Sequence, residues 1–390
     1  MDSRRKIAFL IRKRPDTIGG VQRHSARLYD GLRDSFDIEK IGWNGPEWGA
    51  PFYFPLFYRR SIRNGAEVVH CDDAVTALIG ARIRKNSSKK VVATVHGLDV
   101  ILPIPWYQRK LREALPTLDT IICVSRATAE QVRSRNVPAG KIEIIPNAAE
   151  KVNIFNRKNE ASFRKFYDRT GIDLRGKIVL FSLGRPLRRK GFDYFVTHVF
   201  PHLPENIVYV IAGPGSKTPP WLKMAGPILG QKYHRLLILA SGCDTVHDEL
   251  KRLSSHPRVH YLNGISEELR DALFEVSDLL IMPNRKIDGD MEGFGIVALE
   301  AAVRGIPVVA TGIEGITDAV IDGHNGYCVD DGDVSAMVEI IKSLVENPKR
   351  LSDFGKKAKE FTESRFSSSV VHGRYKQIFE KLAAADPLNK

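Results

Sequence analysis

Leu279-Leu280-Ile281-Met282-Pro283, the loop Asn284 to Met291, then Glu292-Gly293-Phe294-Gly295-Ile296-Val297-Ala298-Leu299-Glu300-Ala301-Ala302 and, past Gly305-Ile306, Pro307-Val308-Val309-Ala310-Thr311 decide the fold. A short apolar run gives way to a glycine-rich loop, a helical pattern from about Phe294, a glycine stop and a second short apolar run. That succession is a strand, a crossover helix and a parallel strand, so a sheet covered on both faces is predicted. Glycines let a backbone approach a ligand closely, and free amides at a helix start attract phosphate. Glu292 stands just before the helix, whereas Glu300 falls in its apolar middle. An unpaired carboxylate there is costly, so a ligand hydroxyl, a cation or a backbone donor must meet it. An ion pair alone would satisfy Glu300. Taken together, two glutamates beside an anion site suit a nucleotide sugar, one accepting from sugar hydroxyls and one from the ribose.

The same alternation runs outward in both directions. Strands are expected at Ile7 to Ile11, Val68 to Cys71, Val91 to Val95, Thr120 to Val124 and Ile142 to Ile145, with crossover helices such as Val21 to Leu32 and Arg126 to Arg135. A second series follows at Ile178 to Leu183, Ile207 to Ala212, Val259 to Leu262, Leu279 to Met282 and Pro307 to Ala310. The charged stretch Asn153 to Lys177 separates the two. A chain of 390 residues also exceeds the usual reach of one core. The expected organisation is therefore a domain over 1–170, a second over 171–365, and a C-terminal helix within 366–390 that could pack on either domain, back on the first included.

Charge is distributed unevenly. The net +13 resides in residues 1–180, which hold 33 basic and 19 acidic side chains against 26 and 27 in the remainder. Such a bias points to an anionic partner, and says nothing about fold. Runs at Arg59-Arg60, Arg63, Arg82 to Lys90 and Arg109 to Arg112 follow the aromatic stretch Pro51 to Tyr58, a combination suited to an anionic membrane surface. Charge is the sole argument for nucleic acid, and no nucleic-acid partner is expected. Four dispersed cysteines, Cys71, Cys123, Cys243 and Cys328, form neither a zinc pattern nor a disulfide framework. No apolar run reaches about 18 residues, so a cytoplasmic protein, soluble or peripheral on the inner face of the cell membrane, is expected.

The segment from Glu292 to Glu300 resembles the glutamate, seven residues, glutamate motif of the family 4 retaining glycosyltransferases of the GT-B fold. The resemblance covers nearly the whole chain. It implies an α/β architecture of two Rossmann-like doubly wound domains facing across a cleft. Ile18-Gly19-Gly20-Val21 is similar to the family's loop near the donor phosphates, and Thr94-Val95-His96-Gly97 to the segment whose histidine lies beside the sugar's reacting carbon. Leu183-Gly184-Arg185 with Arg188-Arg189-Lys190-Gly191 resembles the diphosphate clamp, where Arg189 and Lys190 compete for one role. Gly213 and the segment Asn263-Gly264 resemble the loops that carry the nucleotide, and Gly293, Phe294 and Gly295 the main chain around sugar and phosphate. Glu292 is then expected on the sugar and Glu300 on the ribose.

The catalytic set implied is His96, Arg185, Lys190 and Glu292. Asp288-Gly289-Asp290 mimics a metal-binding motif of another glycosyltransferase fold, yet a sugar-pocket loop is the better reading, and neither metal nor cofactor is expected. The nucleotide sugar, UDP- or GDP-linked, is itself a substrate. The acceptor implied is a lipid-linked or other saccharide. An epimerase of the same fold, or a basic binding protein without catalysis, are the alternative readings, and oligomeric state stays open.

Overall fold

The computed structural model describes residues 4–12, 20–43, 50–152, 157–213 and 244–384, with 230 and 238. Gly19 and Cys243 lie outside the described residues. The chain forms two compact units, one of Met1–Ala148 with Phe366–Lys390 and one of Ala149–Arg365. The boundary thus falls at 148/149 rather than 170/171. The helix Glu160–Thr170 that follows it buries Phe166 and belongs with the second unit, where Lys165 pairs with Glu275 at 2.8 Å.

In the first unit the strands are β1 (Lys6–Ile11), β2 (Asp37–Gly42), β3 (Val68–Cys71), β4 (Lys90–Val95), β5 (Thr120–Cys123) and β6 (Ile142–Ile144), in the order β2-β1-β3-β4-β5-β6. Each pairs in parallel with its neighbour. Alternate residues feed two cores. Ala8, Leu10, Val69, Cys71, Val91 and Ala93 face one side, and Ile7, Phe9, Val68 and Val92 the other, where the C-terminal helix Ser368–Ala384 adds Val371, Tyr375 and Phe379.

The second unit contains β7 (Ile178–Leu183), β8 (Ile207–Gly213), β9 (Val259–Asn263), β10 (Leu279–Met282), β11 (Val308–Thr311) and β12 (Gly326–Val329), ordered β12-β11-β10-β7-β8-β9 and again parallel throughout. Strands β2 and β12 add to those expected from the apolar runs. Both are sheet edges: β2 reads Asp-Ile-Glu-Lys-Ile-Gly with one fully buried residue, so the doubly buried signature of an inner parallel strand is missing.

In each unit the chain starts inside its sheet and reverses direction once. The reversal falls between β1 and β3 in the first, and between β7 and β10 in the second. Loops leaving the carboxyl ends of strands at such points form the crevice where open α/β sheets bind ligands.

Candidate active site

In the second unit the reversal brings together the loop after β7 and the loop after β10. Close main-chain approach makes this possible. A Cβ on Gly213, at the end of β8, would lie 2.0 Å from the Gly184 carbonyl oxygen, and Gly184 N–H donates to the Ala212 carbonyl at 2.9 Å. Gly264 N–H donates in turn to Gly213 O at 2.8 Å, so the ends of β7, β8 and β9 are stitched through main chain, and Asn263 stands exposed beside them. Arg185 is exposed at the mouth of the loop. A single turn, Arg188–Lys190, then carries Arg189 and Lys190 inward.

Lys190 Nζ lies 2.7 Å from Glu292 Oε2, and Arg189 bridges Asp290 Oδ2 at 3.2 Å and Glu292 Oε2 at 3.5 Å. Asn284 Nδ2 donates to the same Glu292 oxygen at 3.2 Å. Burial by itself would raise the Glu292 carboxyl. The two cations, with the hydrogen bonds from Lys190 and Asn284, outweigh it and hold the group at about 2. Glu292 is thus an anion and an acceptor at neutral pH, next to cations that can take phosphate charge. Asp290 is tied to Arg189 within the same buried cluster.

The helix expected from about Phe294 is Ile296–Ala302, and Gly295 caps it with φ of +86°, a conformation that glycine adopts without strain. Phe294 is buried before it, and Gly293 lies in the preceding bend. Glu300, within the helix, meets Arg270 Nη2 at 2.5 Å, both side chains being largely buried. The buried carboxylate therefore has its cation inside the protein. Its burial no longer calls for a ribose, and a ribose role rests on the family resemblance.

His96 belongs to the first unit, where the loops after β3 and β4 meet. Its ring Nε2 lies 3.0 Å from the Asp72 carbonyl oxygen, which only accepts, so the proton sits on Nε2. The His96 amide donates to Asp99 Oδ1 at 2.9 Å, and the His24 ring stands edge-on at 5.3 Å. Ser25 Oγ donates to Asp72 Oδ1. Beneath them Tyr375 OH is 3.3 Å from both Thr94 Oγ1 and His24 Nε2, while Thr94 Oγ1 is 2.8 Å from His70 Nε2. Gly20 opens the helix Gly20–Leu32 that carries His24 and Ser25.

Asp72, Asn284 and Glu314 join these clusters without having been singled out by sequence. Asp72 carried a usable signal, since it follows an apolar strand directly, as His96 does. Glu314 carried none, because its part depends on a turn shape and on two loops meeting.

Two parallel six-stranded sheets of this topology, each reversing direction once, define a two-unit α/β protein with basic and acidic groups gathered at the second unit's reversal point. Residues 167–361 match the family of glycosyl transferases group 1, and residues 36–150 match glycosyltransferase family 4. The chain belongs to this glycosyltransferase family, and its fold is GT-B. It is 28% identical over 291 residues to a GDP-mannose-dependent alpha-(1-6)-phosphatidylinositol monomannoside mannosyltransferase of Mycolicibacterium smegmatis, covering 72% of this chain and 68% of the relative. It is 22% identical over 336 residues to an N-acetyl-alpha-D-glucosaminyl L-malate synthase of Bacillus anthracis, covering 84% and 78%. Among solved structures it matches HepE of Anabaena in complex with UDP and glucose, with a TM-score of 0.71 at 17% identity over 97% of this chain and 100% of that one. Sucrose-phosphate synthase of Thermosynechococcus elongatus matches with a TM-score of 0.73 at 17% identity, covering 98% and 100%.

Proposed function

We propose that the protein is a retaining glycosyltransferase that moves a hexosyl group from a UDP- or GDP-sugar to a membrane lipid or lipid-linked glycan in cell-envelope polysaccharide synthesis. The observation that carries this reading is the pairing of Lys190 with Glu292 at 2.7 Å, which puts a phosphate-binding cation and a hydroxyl acceptor in one buried cluster. Arg185, Arg189 and Lys190 meet the charge that grows on the leaving diphosphate, the largest usual term in such catalysis. Arg offers a planar fork for two phosphate oxygens and Lys a point charge. Glu292 holds sugar hydroxyls, Glu300 with Arg270 borders the ribose, and His96 supports the sugar beside its reacting carbon. The leaving phosphate oxygen takes the acceptor's proton on the face it vacates, so no pair of carboxylates of the glycosidase kind is needed. A relative that is a GDP-mannose-dependent phosphatidylinositol monomannoside mannosyltransferase supports a sugar-nucleotide donor and a lipid acceptor.

The test is a panel of UDP- and GDP-sugars with wild type and Glu292→Gln, read by thermal shift and by nucleoside diphosphate release. One donor class is expected to stabilise the wild type, by about 2.7 kcal/mol at 100 times its dissociation constant. Glu292→Gln is expected to cut turnover at least tenfold while the nucleoside diphosphate still binds. Equal loss of both would place Glu292 on the nucleotide.

A further inference from the structure

Where β11 ends, the chain makes the turn Ile313 to Ile316, closed by Ile316 N–H donating to Ile313 O at 3.0 Å. Glu314 is its second residue and has φ of +50°, the left-handed region where a side chain is strained and glycine is not. Strain of this kind persists where surrounding contacts enforce it, and it gathers at functional sites. Here the enforcing contact is specific. Glu314 Oε2 accepts the main-chain N–H of Glu292 at 2.5 Å, and Gly315 N–H donates back to Glu292 O at 3.1 Å. The two loops touch main chain to main chain, since a Cβ on Gly315 would sit 2.0 Å from the Gly293 carbonyl oxygen. Glu314 is half-buried, and burial moves its carboxyl up to about 7; the Glu292 amide and Arg189 oppose that shift, and the Glu292 and Asp290 carboxylates add to it.

We propose that Glu314 is a positioning residue for Glu292: it keeps a strained turn position so that its carboxylate can clamp the amide of the loop whose side chain holds the donor sugar. A glycine would relax the turn, but it would release that amide. The inference rests on the reading of Glu292 as the sugar-binding carboxylate.

The experiment compares Glu314→Gly, Glu314→Gln and Glu292→Gln with wild type in the full chain. It measures turnover of UDP-glucose and GDP-mannose by nucleoside diphosphate release, UDP and GDP affinity, Tm, and hydrogen exchange at the Glu292 amide. Glu314→Gly is expected to exchange that amide at least tenfold faster and to lose tenfold or more in kcat. Nucleoside diphosphate affinity should stay within twofold and Tm should be unchanged or up to about 4 °C higher. Glu314→Gln, whose amide oxygen can accept the same N–H, should recover kcat to within about threefold. The proposal is overturned if Glu314→Gly keeps its amide protection or its kcat, if Gln is as impaired as Gly, or if Tm falls in step with activity. Loss of turnover in Glu292→Gln with full activity in Glu314→Gly sinks this inference alone. Full activity in Glu292→Gln, or no turnover of either donor by the wild type, sinks the reading beneath it.

Discussion

Asp72 is 4% exposed at the end of β3, with Ser25 on one carboxyl oxygen and the His96 ring on its main-chain carbonyl. Burial raises its carboxyl from 3.8 to about 7, helped by Asp73 and opposed by His96, Ser25 and Arg12. Between those values the folded chain keeps a proton that the unfolded chain has released. Stability from this group therefore declines as pH rises from about 4 to about 7. Asp72→Asn has no such proton to lose, so its Tm relative to wild type is expected to climb across that window in scans from pH 4.5 to 7.5. A constant difference would mean that Asp72 is ionised in the fold. At this scale the sequence was legible where a charged residue broke an apolar pattern, as at Glu300, or stood in a glycine-rich loop before a helix, as at Glu292. It was silent on partners: Arg270, not a ligand, answers the buried Glu300.

Among elements, the helix Ser368–Ala384 shows how a pattern can be read without its destination. Its apolar periodicity announces a helix, and the surface it covers is fixed only when the first sheet is complete. Phe379 stacks edge-on against Phe9 at 6.1 Å and Phe36 at 5.9 Å, while Tyr375 reaches the hydroxyl and imidazole groups under His96. The end of the chain is thus part of the floor beneath a candidate catalytic histidine. Phe379→Ala is expected to cost about 3–5 kcal/mol, seen as a lower urea midpoint. An unchanged midpoint would show that the helix contributes nothing to that core. The helix Ala50–Arg63 was ambiguous in a different way, because its aromatic residues suit a core and a membrane interface equally well.

For the whole molecule, charge and exposure decide between those two roles. Tyr53 and Phe57 are buried, so these rings of the 51–58 stretch belong to the core and not to a lipid contact. Among its described side chains the helix exposes Pro55, Leu56, Arg59, Arg60 and Arg63, and Trp106, 60% exposed, stands at the start of the helix Pro105–Ala114 with Arg109 and Lys110 exposed after it. No helix among the described residues is long and apolar enough to cross a membrane. If the first unit docks on lipid, each basic residue near the surface contributes about 1 kcal/mol. Sedimentation with phosphatidylserine vesicles at low salt is expected to carry the protein down. Raising salt, or changing Arg59, Arg60 and Arg63 together to Ser, should release it. Wild type that stays in the supernatant would favour a soluble saccharide acceptor.

The strands with apolar runs and the glutamate pair before and within one helix were determined by sequence alone, because a strand buried on both faces must be apolar throughout and a carboxylate in the apolar middle of a helix is conspicuous. The edge strands β2 and β12, the boundary at 148/149, the Lys190–Glu292 and Arg270–Glu300 pairs and the turn at Glu314 were decided by tertiary structure. Each depends on groups from distant segments meeting in the fold, and a neighbour that arrives from another segment leaves no local periodicity to read.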